Sequence, residues 1–362
     1  MITVLAASPV PADRFLIPHP VLEQARLEIE DLLSSPRPPQ MIAVVGGAGS
    51  GKSTLLDLAH AAALAEAAPA MIADARIVPV GRGEVPAPTS GRMSWHPLAN
   101  EAAQAFRVPA RGLAVPGSAR AAGIGFVGRQ ARNATEALAD AASDIRLREG
   151  RILFLDEGNH LAVMADQKRA DVQFDVLKGF VADAGIRLVL FGTYNLLRLA
   201  HASAQLGRRT AIVHLRPYDL ASTRDRRAFR MVAETLAREI GDEEPIDETW
   251  LEELHEGSAG CIGLLVDWLL RAAHVHRRRG RGSVRATIRA KAWDPVFLEE
   301  VYDELATGAA LLAADPRPAA RTEEAAPPVP RRVRLAPVTR NGQRLKVGEP
   351  RPRRLPVPAV VA

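Results

Sequence analysis

The densest chemical signal in the chain is Gly46-Gly47-Ala48-Gly49-Ser50-Gly51-Lys52-Ser53, followed by Thr54. It fits the pattern G-x-x-x-x-G-K-[ST]. In this pattern glycines let successive backbone N–H groups turn inward around a phosphate, and the following helix adds favourable potential for the anion. In that reading Gly46, Gly47, Ala48, Gly49, Ser50, Gly51, Lys52, Ser53 and Thr54 hold the phosphates of a nucleotide. Lys52 reaches the β- and γ-phosphates, and the Ser53 hydroxyl coordinates Mg2+. The bland alternative is a Gly-rich turn before a helix. A short apolar strand before the loop, Met41 to Val45, and a helical stretch after it, Thr54 to Ala65, favour the phosphate site. Asp156 stands 104 residues beyond Lys52, where Ile152 to Leu155 reads as an apolar strand closed by Asp156-Glu157. Asp156 is placed to bind Mg2+ through water or Ser53, and Glu157 to polarise an attacking water. A small-molecule kinase needs only the first carboxylate, whereas a hydrolase uses both. Taken alone, the same pair also describes a solvent-facing helix start.

Further elements must aim these groups. Arg76 to Val80 reads as a strand and Trp95 to Phe106 as a helix. The span between Lys52 and Asp156 is therefore too long for one strand–helix unit, and it marks the P-loop branch in which another strand lies between the two in space. Arg187 to Phe191 fits that strand. At its tip, Gly192-Thr193-Tyr194-Asn195 offers Thr193 as first choice for a polar sensor of the γ-phosphate and Asn195 as second; a plain turn is the alternative. A helix starts near Asn195, and Gly207-Arg208-Arg209 then precedes a strand from Ala211 to Leu215. Arg208 and Arg209 stand where ring-forming ATPases present a finger to the neighbouring subunit, although paired arginines also decorate solvated faces. Upstream, Leu22, Ala25, Ile29, Leu32 and Leu33 predict an amphipathic helix ending at Ser35, before Pro36-Arg37-Pro38-Pro39. From Ser222 onward two stripes, Phe229/Val232/Ala233/Leu236 and Ile262/Leu265/Val266/Leu269, predict lid-type helices, with Met231 and Trp268 as core residues.

Composition narrows the classes. One Cys in 362 residues excludes an intramolecular disulfide and a multi-Cys zinc cluster. No basic-then-apolar leader opens the chain, and no uninterrupted apolar stretch reaches the roughly 18 to 20 residues of a membrane span. The expectation is a cytoplasmic protein with no membrane contact. The net charge of +5 is unevenly held: from Pro316 onward ten Arg and one Lys face three acids, net +8, leaving −3 for residues 1–315. Ten of the 27 prolines share that tail, so residues 314–362 are predicted to be a disordered Pro/Arg-rich segment serving a partner or polyanion. Arg271, Arg277, Arg278, Arg279, Arg281, Arg285, Arg289 and Lys291 form a second basic run without acids, which fits phosphate contact; a solvated loop is its alternative.

Taken together, these phrases resemble the AAA+ ATPases of the TniB/TnsC type, the ATP-binding regulators of transposition. The resemblance covers about residues 15 to 275. It rests on Ile17-Pro18-His19-Pro20, the P-loop, Glu84-Val85-Pro86-Ala87-Pro88 with Ser94-Trp95, Leu155-Asp156-Glu157-Gly158-Asn159-His160-Leu161, Gly192-Thr193, and Gln205-Leu206-Gly207-Arg208-Arg209. It implies an α/β P-loop NTPase of the AAA+ type, a parallel sheet flanked by helices. The parts would be an N-terminal segment and helix (1–40), an ATPase core (41–218), a small helical lid (219–313) and the tail (314–362). It also implies ATP and Mg2+ as cofactors, and Asn159 and His160 in positioning roles. The partners implied are sequence-nonspecific double-stranded DNA, a transposase, and further copies of the chain in a ring or helical filament. Arg82, Arg92, Arg129 and Arg132 are candidates for the DNA backbone. The chain departs from the family at Thr210, where an aromatic is usual, and at Ser258-Ala259-Gly260-Cys261-Ile262-Gly263, which lacks a sensor arginine. The insertion Ala110 to Gly128 matches no family feature. The rival readings are a nucleotide-binding scaffold in defence or signalling and a small-molecule phosphotransferase.

Overall fold

Parallel strands covered on both faces read as continuous apolar runs, and Met41–Val45 (β1) is buried along its whole length. The computed structural model describes residues 16–88, 94–107, 133–166, 170–201, 210–279 and 282–314. The chain divides into two units, Met1–Pro327 and Pro328–Ala362, and everything described lies in the first. The predicted tail, the Ala110 to Gly128 insertion, Arg92, Arg129, Arg132, Arg208 and Arg209 lie outside the described residues.

In chain order the elements are α1 (Pro20–Ser34), β1, α2 (Lys52–Ala73), β2 (Val80–Glu84), α3 (Trp95–Ala105), α4 (Ala134–Leu147) and β3 (Ile152–Asp156). A 3-10 segment (Gly158–Asp166), α5 (Ala170–Ala184), β4 (Arg187–Gly192), α6 (Asn195–His201) and β5 (Thr210–His214) follow. The chain then continues through α7 (Thr223–Ile240), α8 (Glu248–Ser258), α9 (Ile262–Arg279), α10 (Val284–Ala290) and α11 (Pro295–Ala313). The five strands pair in parallel in the order β2-β3-β4-β1-β5. The Arg187 strand therefore does lie between the P-loop strand and the Asp-Glu strand. Register sets Val45 level with Gly192 and His214, and Glu84 level with Asp156. The carboxyl ends of the strands consequently form one edge, the place where open α/β sheets bind ligands.

Side chains alternate across this sheet. Ile42, Val44, Phe154, Val189, Phe191 and Val213 pack with α1, α2 and the helices α7 to α9. Met41, Ala43, Leu153, Leu155, Leu188 and Leu190 pack with α3 to α6. Helix α1 is anchored by His19, whose Nδ1 accepts the Leu22 N–H at 3.3 Å and lies 3.0 Å from the Tyr218 hydroxyl. Pro20 at the first helical turn fits a position that needs no N–H donor.

Three sequence expectations shift. The second strand begins at Val80, not Arg76, because Arg76 closes a turn onto the Asp74 carboxylate and Pro79 brings no N–H to a ladder. Helix α2 continues past Ala65 and through Pro69 to Ala73, carried by an alanine-rich run. Met231 is 42% exposed because it lies off the Phe229/Val232/Leu236 stripe, whereas Trp268 is buried as expected. Among the described residues α2 is the one unbroken helix whose length and hydropathy would suit a membrane span. It carries Lys52, Asp57, His60 and Glu66, and packs Leu55, Leu56 and Ala59 into the core.

Candidate nucleotide-binding site

The loop after β1 turns through left-handed backbone at Gly49 (φ 67°) and Gly51 (φ 98°), conformations that side chains disfavour. Ser50 N–H donates to Gly47 O at 3.2 Å and Leu55 N–H to Gly51 O at 2.9 Å, so the loop passes directly into α2. The Ser50 hydroxyl is buried and has no hydrogen-bond partner among the described residues. Lys52 folds back over the loop, its Nζ donating to Gly46 O at 3.0 Å and Gly47 O at 2.8 Å. Burial holds this ammonium below the usual lysine range, with Glu304, Cys261, Asp156 and Glu157 opposing the shift.

Ser53 Oγ donates to Asp156 Oδ2 at 3.2 Å across 103 residues of sequence. A hydroxyl and a carboxylate at this distance are the hard-oxygen pair that Mg2+ takes from a protein when phosphates and water complete its shell, so the residues present fit the cation. Asp156 also accepts the Glu157 N–H at 2.9 Å, and Glu157 sits at positive φ (54°) with its side chain exposed. Asn159 Nδ2 donates to Glu157 Oε2 at 3.3 Å, while His160 Nδ1 donates to Val85 O at 2.8 Å. His160 thus ties the start of the 3-10 segment to the end of β2 and does not face a metal. Beside Asp156 and Glu157 opens a cleft of about 570 Å3, lined by Arg82, Glu84, Glu101 and His160 among others. Its carboxylates make it a poor seat for an anionic phosphate acceptor.

Thr193, half-buried, follows β4 directly and stands between the ends of β1 and β3; its carbonyl accepts the Leu196 N–H that opens α6. Its neighbour Tyr194 was not singled out from the sequence, yet its ring packs near Gly47 and its hydroxyl lies 2.8 Å from His214 Nε2. Burial pushes the Tyr194 phenol up and the His214 imidazole down to about 4, so the pair stays uncharged. The phrase Cys261-Ile262-Gly263-Leu264 sits on the P-loop itself: a Cβ at Gly263 would meet Gly49 O at 2.5 Å, and Leu264 packs on Gly49. Cys261 is buried beside Lys52, its thiol pushed up to about 12 by burial. Glu304 and Leu305 on α11 also reach the loop, Glu304 Oε2 accepting the Ala48 N–H at 3.1 Å. Sequence carried no sign of either contact.

The basic run divides into engaged and exposed arginines. Arg285 is buried against Asp242 at 2.9 Å, Arg289 pairs with Glu253 at 2.8 Å, and Arg271 stacks 3.7 Å over the Trp293 ring. Arg82 pairs with buried Asp57 at 2.5 Å, and its side chain stays 41% exposed. Arg277 and Arg278 remain exposed near the end of α9.

Residues 37–200 match the AAA domain family. No curated protein matches the chain. Among solved structures, the chain is similar to a Walker-type ATPase of Pyrococcus abyssi (17% identity, TM-score 0.44, 74% of this chain and 70% of that one covered). It is also similar to the ORC2 protein of Aeropyrum pernix in ADPNP–ADP complexes (15%, 0.46, 77% and 71%). A third likeness is to domain III of the Thermotoga maritima replication initiation protein DnaA (13%, 0.40, 76% and 92%). The strand order carries the fold assignment: the described part of the chain holds an α/β fold, a five-stranded parallel sheet flanked by helices with a P-loop after β1, and within it the AAA domain match is confined to residues 37–200.

Proposed function

We propose that the chain is a Mg2+-dependent ATPase that binds duplex DNA without reading its sequence and regulates transposition. The observation that carries the catalytic part is the convergence of Ser53 and Asp156 at 3.2 Å, with Glu157 adjoining on the same strand end. Gly46 to Thr54 would cradle the phosphates through backbone N–H groups, and Lys52 would leave the Gly46 and Gly47 carbonyls to neutralise the β- and γ-oxygens. Mg2+, held by Ser53 and Asp156, would supply Lewis-acid charge neutralisation at those oxygens. Glu157 would orient the attacking water and accept its proton, steadied by Asn159. Thr193 would sense the γ-phosphate, and Arg208 or Arg209 would reach the site of a neighbouring copy in a ring or helical filament.

The resemblance to the TniB/TnsC type supports the rest of the reading. The ATPase core, 41–218, assembles on target DNA with ATP bound; the lid, 219–313, covers the nucleotide; the assembly recruits a transposase and hydrolysis dismantles it. Arg277, Arg278 and the basic tail supply salt-sensitive phosphate contacts. Electron microscopy of the full chain with duplex DNA and a slowly hydrolysed ATP analogue tests the assembly: ordered oligomers on DNA that require both ligands are expected, and single copies under all conditions would contradict it. The reading as a nucleotide-binding scaffold with slow turnover keeps one specific support, the seating of α11 on the P-loop.

A further inference from the structure

P-loop N–H groups attract anions in general, so a protein carboxylate that accepts one of them competes with phosphate for the same place. In this chain the Ala48 N–H is already engaged by Glu304 Oε2 at 3.1 Å, across 256 residues of sequence. The contact belongs to a docked helix face. One residue on, Leu305 is buried and packs so near Gly47 that a Cβ there would lie 2.6 Å from its Cδ2. One turn further, Gly308 lies against the Tyr194 ring, where a Cβ would come within 2.3 Å. Val301, one turn before Leu305, is buried in the same cluster. Positions 301, 304, 305 and 308 share one side of a helix, and here that side lies on the phosphate loop.

Helix α11 is also tied to the lid helices. Trp293 Nε1 donates to Leu264 O at 3.2 Å, and Tyr302 hydroxyl donates to Glu256 O at 3.0 Å. Leu264 in turn packs on Gly49, so the loop is gripped by α9 and α11 together. Glu304 also leads the charges that oppose the desolvation of Lys52, which places its carboxylate within the field of the phosphate-binding lysine.

We propose that α11 is an autoinhibitory strap: its Glu304 carboxylate engages the P-loop in place of a nucleotide phosphate oxygen, and a nucleoside triphosphate must displace it to bind. The proposal rests on the reading of the loop as an ATP site. A carboxylate and a polyphosphate repel each other at one set of N–H groups, so occupancy by one excludes the other. Every bound nucleotide therefore carries the cost of lifting α11, and its apparent affinity is reduced by the fraction of chains with the strap down.

Equilibrium binding of a fluorescent ATP analogue, with Mg2+ present, tests this in the full chain, in Glu304→Ala and Glu304→Gln, and in Lys52→Ala combined with Glu304→Ala. Thermal unfolding checks each fold. The expected result is binding at least about fivefold tighter in Glu304→Ala, tighter to a smaller degree in Glu304→Gln, and lost with Lys52→Ala. Lys52-dependent binding that is no tighter in Glu304→Ala overturns the strap and leaves the nucleotide site standing. Binding in none of the chains overturns both. Hydrogen exchange gives a second reading that needs no variant: ATP should increase exchange over residues 295–313, and unchanged or slower exchange there contradicts displacement.

Discussion

Asn159 acts on Glu157 from the side: its Nδ2 donates to Oε2 at 3.3 Å, and its own N–H approaches Gly192 so closely that a Cβ there would stand 2.9 Å away. The carboxylate is thus aimed by a residue two positions on, held against the end of β4. Asn159→Ala should lower ATP turnover about ten- to a hundredfold through misplacement of the base while leaving ATP affinity unchanged. Steady-state turnover set beside equilibrium binding separates the two effects, and a parallel loss of affinity would reassign Asn159 to the binding site. At this scale the sequence was legible wherever the chemistry is local. The P-loop is one uninterrupted phrase, and Asp156-Glu157 is a strand ending, so type and spacing were enough to expect Ser53 beside Asp156, and the two stand 3.2 Å apart. Tyr194 escaped because its polar neighbour Thr193 is the more usual sensor chemistry, and nothing in a single sequence distinguishes which of the two meets Gly47. Glu304 escaped because 256 residues separate it from Ala48, and only the packed fold brings them together.

Among the elements, the first turn of α9 packs directly on the phosphate loop. Gly263 faces Gly49 with no room for a methyl group, and Leu264 fills the space beside it. Gly263→Ala should cost about 1 to 3 kcal/mol by overpacking, lower the thermal midpoint and weaken nucleotide binding, since the loop itself must yield. Calorimetric unfolding with and without ATP checks both; an unchanged midpoint would show that α9 stands off from the loop. The apolar stripes of α1, α7 and α9 announced these helices, and continuous apolar runs announced β1, β3 and β4. Element ends were less legible because turn chemistry sets them: the Asp74–Arg76 turn delays β2, and alanine carries α2 through Pro69. The basic run in α9 and α10 looked free of acids along the sequence. Its partners Asp242 and Glu253 come from just past the end of α7 and from α8, so charge pairing was invisible until the helices packed.

Across the whole molecule, burial leaves several imidazoles neutral. His19, His60 and His214 are each pushed down to about 4, chiefly by desolvation. In the unfolded chain these groups take up protons near pH 6.5, whereas in the folded chain they do so only near pH 4. Between those values the unfolded state binds more protons, so stability is complete above about pH 6.5 and is lost progressively as pH falls towards 4. Thermal midpoints at pH 7.5, 6, 5 and 4.5 should decline in that order, and a flat profile would show that these side chains are solvated. The place of β4 followed from the sequence through one inference, that the long span before Asp156 implies a strand inserted between β1 and β3, and the sheet bears it out; the edge positions of β2 and β5 came only with the structure. The docking of α11 over the loop did not follow, because a helix with an apolar face does not declare which surface it covers.

The proposed function requires an ATPase in which Asp156 and Glu157 would support hydrolysis that responds to DNA. ATP turnover in the presence of Mg2+, measured with and without duplex DNA for the full chain and for Glu157→Gln, tests it most directly. Turnover should rise on adding DNA and fall about 10^2- to 10^4-fold in Glu157→Gln. A rate indifferent to DNA and unchanged in Glu157→Gln would contradict it.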